Sequence, residues 1–92
     1  MIEAIYDESK GTLTVQGHAG AGEYGRDLVC AAASILVHTA IKAAGRDAAS
    51  RAETGFAQIT AGECAMDALR VVMAGFEWLA ENYPGNVKAK RR

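Results

Sequence analysis

A cysteine at the start of a helix and a histidine twelve residues before it are the features of this sequence best suited to chemistry. With Asp27 as N-cap, Cys30 takes the third helical position, where unpaired backbone N–H groups and the positive end of the helix dipole favour a thiolate. His18 closes a strand, and the segment that follows it carries Gly20, Gly22 and Gly25, so the chain can fold back and bring the imidazole against the sulfur. In such a pair the imidazole takes the thiol proton and the thiolate attacks a peptide carbonyl. The imidazolium then protonates the leaving amine, while N–H groups near the sulfur hold the oxyanion. That is the chemistry of a cysteine endopeptidase.

Each residue also has a plainer reading. Cys30 can be a small packed residue of an Ala-rich helix, with His18 simply ending its strand, and spacing alone does not choose. Asp27 either caps the helix or orients His18, and both can hold together. Ser34, one turn after Cys30, can hydrogen-bond near the sulfur or back to its own helix. His38 lies two turns on, roughly 12 Å by helical rise, too far to serve Cys30 within one chain, and reads as a packed or surface histidine. Cys64 has neither a histidine nearby nor a glycine loop before it and reads as structural.

Two further patterns fall away. Gly20 to Gly25 matches G-x-G-x-x-G, but the strand entering it belongs to a hairpin and the helix cap follows Gly25, which is not a dinucleotide-binding unit. His18, Cys30, His38 and Cys64 lack the paired spacing of a zinc site, so neither metal nor cofactor is expected.

The elements that must position these residues follow from hydrophobic period. Residues 2–6 and 12–17 are β-rich runs around a polar turn, with Leu13 and Val15 alternating against Thr12, Thr14 and Gln16. Residues 27–44 read as a helix stopped by Gly45, with an apolar face of Leu28, Ala31, Ala32, Ile35, Leu36, Thr39 and Ala40. Other faces are also apolar, so this helix should be largely buried against a sheet or a second subunit. Strands are expected at 51–54 and 56–60 around Gly55. A clear amphipathic helix spans 64–82, with Ala65, Leu69, Val72, Met73, Phe76, Leu79 and Ala80 inward and Trp78 off the stripe as a contact surface. It ends at Tyr83-Pro84-Gly85, and a short edge strand is expected at 86–90. The order β-β-α-β-β-α-β implies an α+β domain, a small antiparallel sheet packed with two helices.

The chain of 92 residues suits a single domain, 1–92, and its net charge of −1 calls for neither nucleic acid nor an anionic membrane. The basic tail, residues 88–92, reads as solvated, though it also allows a noncatalytic ribosome- or RNA-associated binding module as the alternative. No apolar run can cross a bilayer and the N-terminus does not begin a signal peptide, so a cytoplasmic protein with reduced thiols is expected. The Ala-rich first helix suggests a homodimer.

The residues Gly17-His18-Ala19-Gly20, then Gly25 to Ala32, then Ser34, resemble the signature of the bacterial ribosomal-processing cysteine proteases called Prp. The resemblance extends over nearly the whole chain, with residues 46–62 weakly matched. It implies removal of the N-terminal extension of large-subunit ribosomal protein twenty-seven, after a Phe-Phe pair, by a metal-independent homodimer in the course of ribosome assembly. By it His18 and Cys30 match the catalytic pair, Asp27 the aspartate ahead of the cysteine, Ser34 the serine one turn on, and Gly17, Gly20 and Gly25 the loop glycines. Ala21, Gly22 and Ala33 depart from the bulkier residues of the family, which bears on the substrate side of the site.

Overall fold

The computed structural model describes residues 1–17, 28–45, 48–62 and 65–92. In chain order these form β1 (Ile2–Asp7), β2 (Thr12–Gly17), α1 (Leu28–Ala44), β3 (Ala49–Glu53), β4 (Phe56–Thr60), α2 (Met66–Asn82) and β5 (Val87–Arg91). The element order and α+β class are those expected. One five-stranded sheet, in the order β3-β4-β2-β1-β5, carries both helices on one face.

Local chemistry explains the turns. At the β1–β2 turn the Asp7 carboxylate accepts from the Ser9 N–H at 3.0 Å, the Ser9 hydroxyl at 2.7 Å and the Lys10 N–H at 3.2 Å. Gly11 then takes the left-handed φ of 61° that returns the chain into β2. Thr54 and Gly55 make a two-residue turn between β3 and β4, with Gly55 at φ 78°. This places Thr54 outside β3, which begins two residues earlier than its expected start because Ala48 and Ala49 carry no strand signal of their own.

Four strands pair antiparallel and the fifth does not. A helix returns the chain along the length of the sheet, so the strands before and after it run the same way. Accordingly α2 carries the chain from β4 over β2 and β1 to β5, which lies parallel to β1 from Ile2 opposite Val87 to Tyr6 opposite Arg91. Residues 88–91 of the expected basic tail are therefore sheet. The Arg92 N–H donates to the Tyr6 carbonyl at 2.7 Å and Arg91 reaches Glu77 on α2, while Lys88 and Lys90 remain exposed.

The core lies between sheet and helices. Ile2, Ala4, Tyr6, Leu13, Val15 and Ile59 point up from the strands, and α2 contributes Leu69, Val72, Met73, Phe76 and Leu79, the stripe read from its period. The face expected of α1 is only partly the buried one. Val29, Ala33, Ala40 and Ala44 are buried, whereas Leu28 is 80% exposed, Ile35 is 64% exposed, and Ala31 and Thr39 are also exposed. An Ala-rich helix apolar on all sides has little amphipathic contrast, so contact geometry picks its face. Gly75 on α2 receives Leu36 so closely that a Cβ there would lie 2.7 Å from a Leu36 methyl.

Candidate active site

Cys30, Ser34 and His38 follow one another at single-turn intervals along α1 and line one side of a cleft of about 270 Å³. The opposite wall is the β3–β4 hairpin from Ala52 to Ala57, and Ile2, Val15 and Gly17 complete the lining at one end of the β1–β2 pair. Cys30 is half-buried in the first turn of the helix and keeps its thiol. A sulfur so placed is open to a substrate from the cleft side, and the positive end of the α1 dipole beside it favours a developing oxyanion.

The expected site residues divide. Gly17, Cys30 and Ser34 are brought to this one cleft, whereas His18, Gly20, Gly25 and Asp27 lie outside the described residues, as does Cys64. Gly17 has a structural duty. Its φ is 96°, a Cβ on it would run into the Met1 carbonyl oxygen, and its N–H donates to the Gly55 carbonyl at 2.9 Å. The last residue of β2 is thus clamped between the chain start and the hairpin tip, which fixes the point from which the chain leaves toward residue 18.

Two parts of the cleft escaped the sequence. His38, set aside as a packed or surface residue, is exposed and shares the cleft with Cys30. Its spacing of eight residues was the available signal, since eight residues come back to within about 80° of the same direction, near enough to line one side of a broad cleft. The hairpin wall came from the stretch with the weakest pattern, and no motif marks Ala52, Thr54 or Phe56; only the fold places them. Arg51 lies 5.7 Å over the Phe56 ring and pairs with Glu53 at 2.7 Å, bracing the hairpin.

Among the described residues the perturbed charges sit elsewhere. Arg70 at the start of α2 binds Glu8 and Asp67, and holds the Glu8 carboxyl below the usual carboxylate value by hydrogen bonding. Asp7 is likewise lowered, chiefly by the Ser9 hydroxyl. Both lie at the end of β1 opposite Ile2, far from the cleft along the strand. Among the described residues no three His, Cys, Asp or Glu side chains come together as a metal site.

A crystal structure of an essential ribosomal processing protease Prp from S. aureus, in complex with a covalently linked product peptide, superposes with a TM-score of 0.87 at 24% identity, covering 100% of each chain. The same S. aureus protease with a substrate peptide gives 0.80 at 21% identity, again over 100% of each chain. SMU.848 from Streptococcus mutans gives 0.75 at 30% identity over 99% of this chain and 93% of that one. No curated protein matches the sequence. The family model described as cysteine protease Prp matches residues 1–88, a span that includes the Cys30 cleft and ends two residues into β5, and the chain belongs to that family of cysteine proteases.

Proposed function

We propose that this cysteine protease removes the N-terminal extension of a bacterial large-subunit ribosomal protein, protein twenty-seven, in the cytoplasm during ribosome assembly. Cys30 is the nucleophile and His18 its general base. The observation that carries the reading is the position of Cys30, half-buried in the first turn of α1 on a cleft open to substrate, in a chain of the Prp family. His18 takes the thiol proton and the thiolate adds to the scissile carbonyl. The C–N bond then breaks as the imidazolium protonates the leaving amine, and water hydrolyses the thioester to release the acid and the thiol. Asp27 caps α1 and orients His18, Ser34 supports the sulfur one turn on, and Gly17, Gly20 and Gly25 shape the loop between the two catalytic residues. A ribosomal substrate is supported by the S. aureus relative, described as a ribosomal processing protease bound to a substrate peptide.

The enzyme works as a homodimer, a reading supported by the exposed apolar Leu28 and Ile35 on α1. A monomeric mass at micromolar concentration contradicts this part alone. The central test is cleavage of a peptide spanning a Phe-Phe site by wild type, Cys30→Ala and His18→Ala, read by mass spectrometry. Cleavage by wild type only is expected; a Cys30→Ala variant that cuts at the wild-type rate sinks the proposal.

A further inference from the structure

We infer that the substrate peptide docks as a sixth strand on the outer edge of β3, which delivers its scissile bond along α1 to Cys30. The inference rests on the protease reading above and adds how an extended chain is held. A cleft of about 270 Å³ seats a side chain or two, close to the lower limit of small-ligand pockets, and a peptide of several residues needs a further anchor. The sheet supplies one. Among the described residues β3 ends the strand order, and Ala52, Glu53 and Thr54 at its tip line the same cleft as Cys30, Ser34 and His38.

The pairing shows which backbone groups are on offer. The two-residue turn makes Glu53 and Phe56 a hydrogen-bonded pair, so Arg51 and Glu53 turn their N–H and C=O groups to β4 while Ser50 and Ala52 turn theirs outward. The bond from Gly17 to the Gly55 carbonyl fits the same alternation, with Gly55 and Ala57 turned to β2. Ser50 and Ala52 stand opposite Ile59 and Ala57, both buried under the helices, which puts their side chains on the α1 side of the sheet. Every second side chain of an added strand would therefore face α1, where the Cys30 row stands.

The composition of the two edges separates them. β5 displays Lys88 and Lys90 together with Arg91, the kind of charge that keeps an edge from pairing with another chain. β3 carries two alanines and a serine, and its two charges, Arg51 and Glu53, satisfy each other. An edge that is uncharged in sum, small in side chain and continuous with a nucleophile fits a main-chain-recognised peptide strand.

Amide hydrogen exchange on Cys30→Ala with the Phe-Phe peptide tests this directly. Saturating peptide should slow exchange at the Ser50 and Ala52 amides by about tenfold or more, and leave Arg51 and Glu53, already bonded to β4, unchanged. In parallel, kcat/KM of the wild type on peptides N-methylated one position at a time should fall about tenfold at alternate residues. Unchanged exchange at Ser50 and Ala52 with a peptide that the wild type cleaves overturns edge docking and leaves the protease reading intact. A peptide neither bound nor cut overturns both. Slowed exchange that appears without peptide and grows with protein concentration assigns the edge to a second copy and also overturns the proposal.

Discussion

Backbone bonds hold both ends of the β1–β2 pair, but the two ends use their side chains differently. At the Asp7 and Thr12 end, side chains close on one another: Arg70 ties α2 to Glu8, Asp7 folds the turn around Ser9, and Thr12 meets Thr60 at 3.0 Å. At the Ile2 and Gly17 end the backbone does the holding, through Gly17 against Met1 and the Gly17 to Gly55 bond, and the side chains around it leave an open cleft. At the open end the backbone suffices, and the side chains there are left for a ligand. The closed end shows what the same sheet looks like when its side chains are spent on each other.

The sharpest way to break this comparison is Cys30→Ala. Peptide cleavage should fall by at least about a thousandfold with the thermal midpoint nearly unchanged, because the removed atom serves the cleft and little of the core. A large drop in melting temperature would mean that the open end is structural after all. Gly17→Ala comes next: the left-handed φ and the collision with Met1 should cost on the order of 3 kcal/mol by denaturant unfolding, and cleavage should fall with it. Ser34→Ala should leave stability unchanged, since the side chain is exposed, and lower kcat by less than about tenfold in steady-state kinetics.

Arg70→Ala probes the closed end and should have the smallest effect. Its partners are exposed, so the melting temperature should drop slightly at low salt, and less at high salt. The pH dependence has a definite sign. Hydrogen bonding from Arg70 lowers the Glu8 carboxyl in the folded protein, so this contribution is fully present above the ordinary carboxylate value and is lost as pH falls through the depressed folded one. Melting curves of wild type and Arg70→Ala should therefore converge in acid, while a gap that widens in acid would refute the assignment.

What the sequence disclosed tracks how much contrast each segment carries. Strand β2 and helix α2 alternate apolar and polar residues sharply, and Leu13, Val15, Leu69, Phe76 and Leu79 are buried as their spacing implies. Helix α1 is apolar on every side, so its period named Leu28 and Ile35 for a face that packing against Gly75 assigned to Val29 and Ala33. The parallel entry of β5 follows from crossover geometry and is invisible in its five residues. In the cleft, Cys30 and Ser34 were legible because helix position and spacing suggest chemistry, whereas the hairpin wall is made by long-range pairing of a stretch with no motif.

The parallel pairing of β1 with β5 also sets a timetable. Ile2 stands opposite Val87 and lines the Cys30 cleft as well, so a wall of the site belongs to a strand whose neighbour is synthesised some eighty-five residues later. Contacts that far apart in the chain close slowly and late. A chain that stops before residue 87 already holds the four strands β1 to β4 that line the cleft, but leaves the outer edge of β1 beside Ile2 unpaired. Every wall of the cleft thus comes from residues 2–57, and what the late strand adds is a covered edge for β1, the strand that presents Ile2 to the cleft.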